Sequence, residues 1–322
     1  MEKNNDVILE VKNLCKYFPI NKGMFKEKSY VKAVDNVSFS IKRGETLGLV
    51  GESGCGKTTV SKIITGLERS SGGSIFIDNE DTTKYNDKNM KNLYKKVQMV
   101  FQNPVDSFNP RVKLGNSIGE ININFGDDKK TVKNHVLNLL NLVGLKDEYY
   151  DRYPNEVSGG ECQRAAIARA LAIEPNLIVC DEPTSALDVS VQAQIINLLK
   201  ELQNKKGLSY LFISHDLALV QNICQKIYVM YQGNIVECGS RDDIVENAKH
   251  PYTKLLLSSI FDVDNDEKWE LEDLDDSSFE DEVSTQGCKF YTRCSIRQDL
   301  CKLERPDLEC KNHQHYVACN II

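Results

Sequence analysis

Apolar positions along this chain follow distinct spacings, and each spacing predicts a kind of element. Val7 to Val11 reads as a strand, and Val34 to Ile41 alternates apolar with polar, the period of a half-buried strand. Thr46 to Val50, Val97 to Phe101, Leu177 to Cys180 and Tyr210 to Ile213 are short, largely apolar runs, as expected of strands covered on both faces. Helical spacing takes over from Lys57 to Gly66 and at Val136, Leu139, Leu140 and Val143, within a helical and loop-rich stretch from Asn103 to Asn155. It returns in the Ala-rich segment Ala165 to Ala172. Pro19 to Lys32 is polar and basic and reads as a loop, and Arg43-Gly44 as a turn. Strands alternating with helices predict an α/β fold with a mostly parallel sheet. No segment repeats, so one such unit is expected.

No apolar run approaches the length that spans a bilayer, and the N-terminus is charged where an export signal needs an apolar core. The chain is therefore expected in the cytoplasm, meeting any membrane through partners. The 322 residues leave room for one large domain or two ordinary ones. Charge is unevenly placed. Asp262 to Glu282 holds twelve acids and one lysine, a local −11 within a total of −7, so the remainder carries +4. The folded part is then only mildly basic, which suits a nucleotide better than a nucleic acid. The acidic stretch reads as a linker.

Gly51-Glu52-Ser53-Gly54-Cys55-Gly56-Lys57-Thr58 fits G-x-x-x-x-G-K-[ST] between an expected strand and an expected helix. Its glycines let backbone N–H groups converge on phosphate oxygens at a helix N-terminus. Lys57 is placed to reach β- and γ-phosphates and Thr58 to ligate Mg²⁺. Asp181 and Glu182 follow the buried run Leu177 to Cys180, at the end of a strand where ligands sit in open α/β sheets. Asp181 suits a Mg²⁺ site, largely through water, and Glu182 suits a base for an attacking water.

Many ATPases share those two features. Ser158-Gly159-Gly160-Glu161 followed by Gln163-Arg164 narrows the choice, because it resembles the signature of ABC-type ATPases, with Glu161 where glutamine is more usual. Gln102 after its strand resembles the Q-loop glutamine, Ser185-Ala186-Leu187-Asp188 the D-loop, and His215 the switch histidine. Phe18 stands where that family places an aromatic against adenine, with Tyr17 as the alternative. Phe101-Gln102-Asn103-Pro104, His250-Pro251-Tyr252-Thr253 and the tail from Gly287-Cys288 are similar to the F-type ATPase subunits of oligopeptide and dipeptide importers.

This resemblance implies a P-loop NTPase with an ABC-type nucleotide-binding domain: a mostly parallel core sheet, an antiparallel β subdomain and a helical subdomain. It divides the chain into an ATPase domain over 1–260, with the helical part near 103–160, an acidic linker over 261–285 and a cysteine-rich extension over 286–322. ATP would be held by Phe18, Gly51, Ser53, Gly54, Cys55, Gly56, Lys57, Thr58 and Thr59. Across a dimer it would meet Ser158, Gly159, Gly160, Glu161 and Asp188. Mg²⁺ would be held by Thr58, Gln102 and Asp181, and catalysis would fall to Glu182, His215 and Gln102. Implied partners are a second ATPase subunit in a heterodimer, two transmembrane permeases and, indirectly, an extracytoplasmic peptide-binding protein. That sets the chain at the cytoplasmic face of the membrane, with no nucleic-acid partner.

A nickel importer of the same type is the nearest alternative. A soluble ABC-type ATPase acting on nucleic acid or ribosomes lacks support, since neither tandem ATPase units nor a basic face is evident. Five of the eleven cysteines lie between Cys288 and Cys319. Without an export signal, that density points to metal or redox chemistry rather than disulfides. Cys288, Cys294, Cys301 and Cys319 resemble the four cysteines of the importer tail, which implies a [4Fe-4S] cluster. Their spacings, x5, x6 and x17, are wider than those of structural zinc pairs. Zinc, helped by His313 and His315, is the alternative, with Cys310 a competing ligand.

Overall fold

The computed structural model describes residues 6–20, 29–85, 89–261 and 287–322. Strands β1 (Val7–Ile20) and β2 (Ser29–Lys42) form an antiparallel ribbon, with Val11 opposite Phe39 and Phe18 opposite Val31. Both strands run further than side-chain alternation predicts. Pro19, Ile20 and Ser29 to Lys32 are paired strand rather than loop. The ladder is built from backbone groups, so it continues where its side chains are polar and exposed. Strand β3 (Thr46–Val50) leaves for a second sheet, whereas β4 (Gly72–Ile77) and β5 (Glu80–Asp81) return to the ribbon in the order β2-β1-β4-β5. The helices α1 (Lys57–Ile64) and α2 (Met90–Lys96) flank these returns.

The second sheet is the core. Five parallel strands lie in the order β9 (Lys226–Tyr231), β3, β8 (Ser209–Ser214), β7 (Leu177–Asp181) and β6 (Val97–Val100). Their largely apolar runs follow from having two cores to serve. Leu177, Val179, Leu211 and Ile213 pack toward the antiparallel ribbon. Ile178, Cys180, Tyr210 and Phe212 pack toward the helices. On that side lie α3 (Leu114–Phe125), α4 (Lys129–Leu142), α5 (Gly159–Leu171) and α6 (Val189–Lys206). Ala165, Ala166 and Ala168 of α5 are buried there, their small side chains letting the helix lie close to its neighbours. The helices α7 (Leu217–Ile223), α8 (Arg241–Val245) and α9 (Pro251–Phe261) complete the main body.

The acidic segment lies outside the described residues. The tail beyond it holds α10 (Asp299–Leu303), and its strands continue the core sheet. Past β9 come β10 (Asn234–Ser240), then β12 (His315–Val317), then β11 (Glu309–Asn312), all antiparallel. Aromatic packing and a buried ion pair help to seat the tail. Phe290, buried, packs among Tyr231, His250 and Tyr252 at centroid distances of 5.3, 5.7 and 5.5 Å. His315 Nε2 lies 2.7 Å from Glu237 Oε1, both side chains buried. The backbone N–H groups of Lys249 and His250 also donate to Glu237, so this buried carboxylate is well partnered.

Candidate active site

Four loops leave the carboxyl ends of neighbouring parallel strands and converge: the segment from Gly51 after β3, Gln102 near β6, Glu182 after β7 and His215 after β8. With them Ala33, Glu52, Ser53, Gly54, Gly56, Lys57, Thr58, Thr59 and Leu256 line a cleft of about 560 Å³. Glycine is obligatory at two bends. Gly56, at φ 110°, caps α1, and a Cβ there would meet the Ala33 carbonyl oxygen at 2.1 Å. A Cβ on Gly51, at φ 154°, would meet the Met230 carbonyl oxygen at the same distance. Lys57 is 4% exposed, and its Nζ donates to the carbonyls of Gly51 (2.7 Å) and Glu52 (2.8 Å).

Behind the loop, Asp181 Oδ1 accepts from Thr58 Oγ1 (3.3 Å) and Oδ2 from Ser61 Oγ (3.0 Å). Burial raises this carboxyl above the ordinary carboxylate range, opposed by those hydrogen bonds and, more weakly, by Lys57. One carboxylate and one hydroxyl at a helix start form a hard oxygen set of the kind Mg²⁺ takes beside phosphates. Glu182 points both carboxylate oxygens at neighbours: Gln102 Nε2 donates to Oε2 at 2.8 Å, and His215 Nδ1 stands 3.2 Å from Oε1.

The remaining sequence candidates lie away from this lining. Ser158 caps α5, and its Oγ accepts from the Glu161 N–H while Glu161 Oε2 accepts from the Ser158 N–H, closing a capping box. Tyr149 donates to the other Glu161 oxygen and is the main reason that this carboxyl titrates low. Gly159 and Gly160 sit against Leu187 and Val191, and a Cβ on Gly160 would approach Val191 to 2.6 Å. Asp188 caps α6 through the Val191 N–H. Phe18 is on β1, with Lys16 Nζ 4.7 Å from its ring centroid, while Tyr17 donates to Asp35. Cys55 is buried beneath the loop.

A family profile described as ABC transporter matches residues 34–185, and one described as Oligopeptide/dipeptide transporter, C-terminal region, matches 236–301. The chain is 43% identical over 313 residues to the Dipeptide transport ATP-binding protein DppF of Escherichia coli K12, covering 97% of this chain and 93% of that one. It is also 43% identical over 323 residues to the Oligopeptide transport ATP-binding protein AppF of Bacillus subtilis 168, covering 99% and 98%. The chain belongs to the ATP-binding subunits of ABC-type peptide transporters. Solved structures agree on the fold of this ABC subunit. The ATP-binding cassette MJ0796, in a dimeric post-hydrolysis state bound to ADP and Pi, matches with a TM-score of 0.65 at 28% identity over 72% of this chain and 98% of its own. The cbiO1 subunit of Clostridium perfringens matches with a TM-score of 0.65 at 27% identity over 76% and 92%.

Three residues that sequence reasoning left without a role lie at the phosphate loop or its cleft in this ABC subunit. Tyr252 Oη accepts from the Glu52 N–H (2.8 Å), Arg293 pairs with the Glu52 carboxylate, and Leu256 closes one wall of the cleft. The His250-Pro251-Tyr252-Thr253 motif was the available signal for Tyr252. It marked the family without naming a contact.

The tail thiols of the ABC subunit are gathered in part. Burial pushes the Cys288 thiol up to about 11, and Cys294, Cys301 and Cys319 add to that by proximity. Cys310 is exposed on β11. Among the described residues, no three His, Cys, Asp or Glu side chains stand where they could hold a metal ion. Also among the described residues, no helix is long and apolar enough to cross a membrane.

Proposed function

We propose that this chain hydrolyses ATP to power import of oligopeptides or dipeptides, working at the cytoplasmic face of the membrane under two permease subunits. The observation that carries the reading is Glu182, its carboxylate held between Gln102 and His215 in one cleft with Lys57 and Thr58. Lys57, now resting on loop carbonyls, would turn to the β- and γ-phosphates. Thr58 and Asp181 would hold Mg²⁺, which neutralises phosphate charge when bound. Glu182 would take the proton of the attacking water, oriented by Gln102 and His215.

Ser158 and the start of α5 are absent from the cleft lining. That supports a sandwich in which each chain's signature completes its partner's ATP site, the partner being a second, related ATPase subunit. ATP binding then favours the closed pair and hydrolysis reopens it. A peptide-binding protein outside the membrane would deliver cargo to the permeases.

In vesicles holding the assembled transporter, Lys57→Ala in this chain should lower peptide-stimulated ATP turnover by on the order of 10²-fold, since the lysine cation expected on the phosphates is gone. Undiminished turnover and uptake would sink the assignment.

The finer reading of the tail is a [4Fe-4S] cluster on Cys288, Cys294, Cys301 and Cys319. It rests on the mutual proximity of those thiols, on their spacing and on the resemblance; the lack of an ion-holding trio among the described residues counts against it. Anaerobically purified protein should then show stoichiometric iron and sulfide with visible absorption. A colourless, iron-free chain would remove the cluster and leave the ATPase reading in place.

A further inference from the structure

The tail touches the phosphate loop through Arg293. Arg293 ends the short helical turn Tyr291–Arg293, and its guanidinium donates from Nη1 to Glu52 Oε2 and from Nη2 to Glu52 Oε1, both at 2.8 Å. The partners are 241 residues apart in sequence. This two-pronged geometry fixes orientation as well as charge. The guanidinium is itself framed by the rings of Tyr231 and Phe290, at 5.9 and 5.8 Å.

Glu52 is the second residue of the loop. Its N–H is tied to Tyr252 and its carbonyl to Lys57, so its side chain is the one polar group left to place. That side chain is a carboxylate bordering a cleft suited to phosphates. Unpaired, it would repel the anion and be free to swing into its place. The pair is partly exposed, 32% for Arg293 and 40% for Glu52, so it adds little to folding stability. Its consequence falls on anion binding. The tail also reaches β2, where Arg305 Nη1 donates to Asp35 (3.0 Å), the acceptor of Tyr17.

We propose that Arg293 is a positioning residue of the phosphate loop, holding the Glu52 carboxylate away from the phosphates and so making ATP affinity depend on the cysteine-rich tail. The proposal rests on the cleft being the ATP site.

The test is equilibrium titration of ATP onto the purified full-length chain at low and high salt, with melting temperatures recorded for every variant. Arg293→Ala should weaken ATP binding about fivefold at low salt, the scale of one partly exposed charge interaction. The gap should narrow at about 0.5 M salt, where charges at this spacing are screened. Adding Glu52→Gln to Arg293→Ala should bring affinity back to within about twofold of wild type, because the unpaired carboxylate is gone. Wild-type affinity in Arg293→Ala would overturn the proposal. So would a double variant that binds as weakly as the single one, since Arg293 would then act through the fold of the tail. A wild-type chain that binds no ATP would overturn the site reading itself, and this proposal with it.

Discussion

Glu182 adopts φ 46°, a left-handed backbone that residues with a Cβ seldom occupy, and it does so where its N–H donates to Ile213 of the neighbouring strand. Such a conformation costs on the order of 1 kcal/mol and is kept only where the surroundings enforce it. Here it turns the side chain back across the strand ends to Gln102 and His215. Glu182→Gln keeps shape and reach while removing the base. It should leave ATP binding intact and lower turnover at this site by roughly 10²- to 10⁴-fold. The closed, ATP-loaded pair should accumulate, which nucleotide trapping with size-exclusion chromatography would show; no rise in trapping would remove Glu182 as the base. The carboxylate was legible in the sequence because two acids end a buried apolar run. Its backbone twist was not, since nothing in Asp181-Glu182-Pro183 encodes a positive φ.

At the scale of elements, α9 is the part whose role the sequence concealed. Tyr252 and Glu52 are 200 residues apart, so no local pattern could pair them. The extension of β1 and β2 was hidden for a different reason: Pro19 to Lys32 is polar, and backbone pairing leaves no apolar trace. The phosphate loop, α5 and the parallel strands β3, β6, β7 and β8 were legible because glycine geometry and two-sided burial both write themselves into composition; β9 was not, since Lys226 and Tyr228 break its apolar run. At the start of α9, the buried His250 accepts the Tyr252 N–H on Nδ1, which requires that nitrogen to be unprotonated. Burial lowers its pKa from 6.5 to about 4. The unfolded chain therefore takes up a proton that the folded chain refuses between those values. The contribution of His250 to stability is complete above about pH 6.5 and is lost as pH drops toward 4, by up to about 3 kcal/mol. His250→Asn keeps an acceptor without titrating. Its melting temperature should fall less than that of wild type between pH 7.5 and pH 5, and equal slopes would refute the account.

Over the whole molecule, the tail is joined to the ATPase body by backbone ladder, aromatic packing and ion pairs, although the sequence set it apart behind an acidic stretch. Cysteine density made the segment visible. It could not reveal that β12 pairs with β10, because Cys238↔Tyr316 is a register between strands far apart in the chain. The order of that sheet has a consequence for truncation. β11 is a short edge strand whose Glu309 and Lys311 discourage further pairing. A chain ended at Phe261 would lose this guard. It would expose the unpaired backbone of Ile235 to Gly239, a row of largely buried residues, and strip Glu237 of His315. The shortened protein should therefore self-associate through that edge, raising light scattering and thioflavin fluorescence at concentrations where the full chain stays monodisperse. A monodisperse truncated chain would show that the tail serves the nucleotide cleft alone and not the solubility of the sheet.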